Sequence, residues 1–301
     1  MRFYFPLFLV FVASVGAPLR AQENNTNAML SLFSSAQSSI DPVKSASNKV
    51  KLSGRQALLS QQIANSLCFV FLGIDQDENL LKAAQASALY SESLDALRSG
   101  SVQKEIRKED NQEILDALRA LSESWRPLKN IVNSVLTTRE PKDSDLEAIE
   151  ALNLSVLEDS VRLARLIEGH YGQNELGAEI ASTISFAGNQ RTLGEKATKE
   201  FCLVMANINR TENQAGLMET RLEFFESMFN LFLGNPELGI IAPTNYELDI
   251  HYQELFSAWF LLEEIFDQWA PGRPLGEADV QLAQRVTDFL TTRSEQALGM
   301  Y

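Results

Sequence analysis

Leu52-Ser-Gly-Arg-Gln-Ala-Leu-Leu-Ser-Gln-Gln-Ile-Ala64 and Phe186-Ala-Gly-Asn-Gln-Arg-Thr-Leu-Gly-Glu-Lys-Ala-Thr198 are two versions of one helical text. They set an offset of 134 residues, which then holds without a gap. Gly54 meets Gly188, Gln56 meets Gln190, Leu59 meets Leu193 and Cys68 meets Cys202. Farther on, Glu78-Asn79 meets Glu212-Asn213, Gly100 meets Gly234 and Trp125 meets Trp259. Chance does not keep Gly, Cys and Trp in one register over such a span, so the chain contains two homologous modules.

Each module reads as four helices. The first module gives helices from Pro42 to about Gly73, Glu78 to Leu97, Asn111 to Thr138 and Ser144 to Ile167. Ser144 and Glu147 have capping-box spacing, and Pro127 predicts a kink in the third helix. The second module gives about Leu176 to Ile208, Glu212 to Leu233, Asn245 to Trp269 and Glu277 to Gly299. Gly169, Gly172 and Gly177 mark the junction, and Pro141, Pro236, Pro271 and Pro274 fall in connections, where helix breakers belong. The fold class is therefore all-α, two tandem homologous four-helix bundle modules. They cover residues 42–168 and 169–301, after a lead-in at 22–41.

The first helix of each module has two unlike faces. At 100° per residue, Leu59, Ile63, Leu67, Val70 and Ile74 form one stripe, as do Leu193, Ala197, Phe201, Val204 and Ile208. That stripe is the bundle core. The opposite stripe holds Gly54, Ala57, Leu58, Gln61, Asn65 and Cys68 in module one. In module two it holds Gly188, Arg191, Thr192, Glu195, Lys199 and Cys202. Glycine inside a helix costs about 1 kcal/mol relative to alanine, so this stripe is either a helix-packing notch or a place where a ligand comes close.

The bulk properties narrow the function. A length of 301 residues suits one large domain or two ordinary ones. A net charge of −14 leaves no basic footprint for nucleic acid and disfavours an anionic membrane surface. Met1-Arg2 followed by the apolar run Phe3 to Val15 reads as an export signal cleaved near Ala21, residues 1–21. An uncleaved anchor is the rival reading. The mature chain is expected to be soluble, in the oxidising periplasm.

At Gly54-Arg55-Gln56-Ala57-Leu58-Leu59-Ser60-Gln61-Gln62 the sequence resembles the signature of the N-terminal sensory domain of type IV pili methyl-accepting chemotaxis transducers, the PilJ type. A related segment occurs in nitrate/nitrite sensor kinases of the NarX type. The resemblance spans both modules. It implies a periplasmic helical-bundle sensor without catalysis of its own. In the nitrate sensors an arginine three residues after the glycine holds the anion at a helix–helix dimer interface, where a planar guanidinium suits a planar oxyanion. That position is Arg191 in module two and Ala57 in module one. The later basic position is Lys196 in module two and Gln62 in module one. Nitrate itself is thereby in doubt, and a small anion or polar metabolite near Arg191 is the expected ligand. The candidate ligand-binding residues are Gly54, Arg55, Gln56 and Gln61 in module one, with Gly188, Asn189, Gln190, Arg191 and Lys196 in module two. The competing role for Arg191 is a salt bridge, for instance with Glu195 one turn on.

Transducers continue into a membrane helix and a signalling region. With the sequence ending at Tyr301, the expectation is action through a separate envelope receptor or pilus component, with a homodimer left open. The alternative is an adaptor that docks such a component through the glycine face. His170 and His251 are the only histidines and have no metal-ligand spacing. Nucleophile-elbow, phosphate-loop and dinucleotide motifs are absent, so neither an enzyme nor a cofactor is expected. Cys68 and Cys202 bear on how the modules meet. Modules side by side bring these equivalent residues near a pseudo-twofold axis and permit a disulfide, whereas end-to-end stacking leaves two thiols. The helical text runs on past Ile167, which favours stacking.

Overall fold

A computed structural model describes residues 35–269 and 275–301. The expected export signal, most of the lead-in, Pro271 and Pro274 lie outside the described residues. Helix accounts for 83% of the structure and strands are absent from the described residues; the periodicities above require a predominantly helical chain. Eight long α-helices follow in order: α1 (Pro42–Phe71), α2 (Gln76–Ser99), α3 (Gln112–Thr138), α4 (Asp143–Tyr171), α5 (Ala178–Met205), α6 (Arg210–Leu233), α7 (Tyr246–Gln268) and α8 (Glu277–Gly299). Antiparallel α1–α4 form one bundle and α5–α8 another. Among the described residues, no helix is long and apolar enough to cross a membrane.

The local devices repeat with the sequence. Asn111 caps α3 by accepting from the Glu113 and Ile114 amides, and Asn245 caps α7 by accepting from Leu248 N at 2.9 Å, which satisfies amides a helix start leaves free. Gly100 and Gly234 end α2 and α6 at φ of 79° and 71°. Each begins a tight turn closed by one bridge, Ser101 with Ile106 and Asn235 with Ile240. In the bundle interiors Tyr90 packs on Trp125 and, at the equivalent place, Phe224 stacks on Trp259 with ring centres 3.8 Å apart. One detail differs from the sequence reading. The cap of α4 is not Ser144 with Glu147; Asp145 accepts from Lys142 N at 2.9 Å, two residues earlier. Helix α3 runs through Pro127 as one element, as the sequence reading has it.

The modules do not stack end to end. They lie side by side, with α1 against α5. Arg191 reaches Lys51 O, Glu195 accepts from Asn65, and Cys202 meets Cys68. These contacts follow the same chain order, so α1 and α5 run parallel about a pseudo-twofold axis. The two cysteines form a disulfide with Cα atoms 6.1 Å apart, rather than two unpaired thiols. Around it sit equivalent apolar pairs, Phe69 with Leu203, Ile74 with Ile208 and Leu146 with Val280. The junction explains the departure from stacking. After α4 the chain makes a π-helical turn at Gly172–Leu176 and then Gly177 at φ 88°, a conformation that favours glycine. At Gly172 a Cβ would come within 2.8 Å of the Ala181 Cβ. This close hairpin reverses α5 onto α1 instead of continuing the helix.

Candidate functional site

The stripe opposite the core on α1 and α5 is the seam between the modules. Ala57, Gln61, Asn65, Arg191, Glu195 and Lys199 are all buried there. The other module covers most of this face, and Gly54 and Asn189 remain partly exposed. Beside the seam lie two clefts related by the pseudo-twofold axis, and their side chains differ.

The first cleft, of about 270 Å³, is lined by Asn48, Lys51 and Arg55 of α1, Arg191 of α5 and Glu295 of α8. Arg191 is 1% exposed. Its Nη1 makes an ion pair with Glu295 Oε1, and Arg55 Nε lies 3.6 Å from the same oxygen. Arg191 Nη2 also approaches Lys51 O at 3.5 Å. The expected alternative partner, Glu195, turns away to accept from Asn65 Nδ2 at 2.7 Å. The Nε atoms of both arginines are buried without a hydrogen-bond partner. Burial pulls Arg191 below the usual arginine value; the Glu295 charge opposes this and Arg55 adds to it. Burial likewise lowers Lys51, with Glu295 opposing. Two arginines thus meet a single carboxylate, with Lys51 in the same cleft, and two buried N–H groups have no acceptor.

The second cleft, of about 340 Å³, is lined by Gly54, Ala57, Val161, Gly188, Asn189 and Thr192, among others. Position for position, Arg191 is replaced by Ala57, Glu295 by Val161, Arg55 by Asn189 and Lys51 by Ser185. A Cβ on Gly54 would meet nothing within 4 Å, and one on Gly188 would lie 3.7 Å from Leu298. Neither glycine is therefore a notch for a crossing backbone; Gly54 opens onto the cleft.

The remaining sequence candidates fall elsewhere. Gln56 Nε2 points back to Leu52 O at 3.5 Å, and Gln190 Nε2 reaches Ser227 of α6. Gln61 donates to Asn153 of α4 at 2.9 Å. Lys196 donates to Thr220 at 2.7 Å and lies 3.5 Å from Glu200. Gln190, Gln61 and Lys196 tie the helices of their own bundles together, while Gln56 bonds within α1. Gly54, Gly188 and Asn189 share the open cleft, and Arg55 joins Arg191 in the charged one. Lys51 and Glu295 escaped the sequence reading. Lys51 stands one turn before Arg55 and was accessible from helical spacing. Glu295 comes from the last helix and was not. Among the described residues, no cluster of His, Cys, Asp and Glu has the makings of a metal site.

Residues 42–150 match the family model described as type IV pili methyl-accepting chemotaxis transducer N-term. The match runs from the first residue of α1 into α4, so the similarity lies within the first bundle. No curated protein and no solved structure matches the chain.

Proposed function

We propose that the chain is an exported periplasmic binding protein, not an enzyme, that senses a small anion or polar metabolite and passes its bound state to a separate partner. The observation that carries this reading is the buried Arg191 with Arg55 and Lys51 gathered around Glu295. A carboxylate or other planar oxyanion offers the same oxygens as Glu295, together with acceptors for the orphaned N–H groups. Its entry releases Glu295, and with it α8, from the seam. Binding is thereby coupled to the fit of one module against the other, which is the two-state element a sensor needs. The kinship with nitrate sensors rests on the motif alone, and the lone arginine departs from a pair of arginines facing each other.

Thermal-shift titration of the mature chain with nitrate, nitrite, sulfate, acetate and short dicarboxylates tests this reading. A ligand at a hundred times its dissociation constant adds about 2.7 kcal/mol of stability. At least one oxyanion is expected to stabilise the wild type. Arg191→Ala is expected to weaken that ligand by about 1.5–3 kcal/mol, the range for hydrogen bonds to charged groups. Equal stabilisation of both proteins would remove Arg191 from the site.

A further inference from the structure

The outer faces of the two bundles differ more than their interiors. On α6, Met218, Leu222 and Phe229 are 54%, 66% and 56% exposed, with Phe225 half-buried between them. On α7, Phe260 is 49% exposed beside the half-buried Phe256. The rings form one sheet of contacts: Phe225 packs on Phe256 and Phe260 with centres 5.7 Å away, and Phe229 on Phe256 at 6.1 Å. The corresponding residues of the first bundle are Ala84, Ala88, Asp95, Ser91, Arg126 and Ser122. One fold thus builds an ordinary solvated face on one module and an uncovered aromatic face on the other. A contiguous exposed apolar patch of this kind marks an interaction site.

The charges around it select the partner. Helices α6 and α7 carry ten Asp and Glu against two Arg, whereas α2 and α3 carry seven against five. Of those two arginines, Arg221 is held by Glu263 and Asp267, and Arg210 lies over Trp269 at the far end of the helix. Glu219, Glu223 and Glu226 border the aromatic stripe on α6. A second copy of this face would set those carboxylates against their own kind, and an anionic bilayer would be repelled. From Met218 to Phe229 the stripe runs three turns, about 16 Å. We infer that this face docks a cationic amphipathic helix of another protein, apolar side inward and lysines or arginines over the acidic rim.

The probe is an 18-residue Leu–Lys peptide with leucines at i, i+3, i+4 and i+7, and its scrambled isomer is the control. Fluorescence anisotropy on the full mature chain is expected to show saturable binding at one site per chain. The scrambled peptide is expected to bind at least about tenfold more weakly, as is the designed peptide to the Phe229→Asp, Phe260→Arg double variant. That variant installs the first module's residues without changing net charge, and its fold is checked by circular dichroism and melting. Hydrogen exchange on the wild type reads the site without substitution: the peptide is expected to protect 218–229 and 253–260. Equal binding by variant and wild type, or protection elsewhere, overturns the proposal. So does a wild-type dimer in ultracentrifugation that the variant loses, or flotation with lipid vesicles that the variant loses.

Discussion

The two clefts beside the α1–α5 seam share one backbone plan and differ almost entirely in side chains. One holds Lys51, Arg55, Arg191 and Glu295; the other, at the same places, holds Ser185, Asn189, Ala57 and Val161. In a symmetric dimer of one module the two clefts would be identical. Joining both modules in one chain frees each cleft to change alone. Here two arginines and a lysine share one cleft with Glu295, while the other, of about 340 Å³, lacks that group and carries Arg165, Glu168, Glu223 and Glu226 on its walls. The same separation runs through the buried pairs that cross the seam. Asn79 meets Gln284 where its equivalent Asn213 meets Glu150. The duplicated fold supplies the frame, and specificity lies in the positions where the copies disagree.

The frame itself is the first thing to break. The Cys68–Cys202 disulfide closes a loop of 134 residues across the pseudo-twofold axis. On the chain-entropy account a loop of that size is stabilising by about 5 kcal/mol. Reduction, or Cys68→Ser with Cys202→Ser, is therefore expected to lower the urea midpoint steeply. An unchanged midpoint would show that the seam does not depend on the bridge.

A smaller effect comes from a seam residue that differs between the copies, Glu195 against Gln61. Burial pushes the Glu195 carboxyl up to about 7, against the opposing hydrogen bond from Asn65. A carboxyl raised in the folded state binds its proton more tightly there than in the unfolded chain. Its ionisation therefore costs stability as pH rises from the ordinary value of about 4.3 through 7. Glu195→Gln is expected to remove that slope and to stabilise the protein at pH 8 by on the order of 2–3 kcal/mol. Denaturation at pH 5 and pH 8 checks this; a variant equally sensitive to pH would assign the slope to other groups.

The equivalence of the clefts can be sharpened by transplanting the ion pair. Ala57→Arg puts a guanidinium where no carboxylate faces it from position 161, and Val161→Glu supplies one. A double-mutant cycle is expected to give a favourable coupling of about 1 kcal/mol, within the range for contacting residues. No coupling would mean that the second cleft does not reproduce the geometry of the first.

Much of this was legible in the sequence. The repeat gave the helices and most of their core stripes, because those depend on local spacing; Ile74 and Ile208, read as bundle core, pack instead around the disulfide. The meeting of the modules was not legible. Gln61, Asn65, Glu195 and Lys199 are residue types that ordinarily face water or a ligand, yet they are buried, and Asn65 and Glu195 meet across the seam. The run of helical text past Ile167 suggested continuation, while the reversal depends on Gly172 and on Gly177 at positive φ. At the site, the arginines could be read from the first helix of each module. Glu295 could not, since only the tertiary fold brings α8 to α5. The aromatic stripe on α6 and α7 is set apart only by its exposure in the fold.

Glu295 offers the most direct test, because the account makes it a stand-in for the ligand. Calorimetric titration with the oxyanion found by thermal shift should be run on wild type, Arg191→Ala and Glu295→Gln. If the anion takes the place of the glutamate, Glu295→Gln binds it about tenfold or more tightly, since a competing charge-assisted bond is gone. Arg191→Ala loses it. Weaker binding by Glu295→Gln, or unchanged binding by Arg191→Ala, would contradict the account.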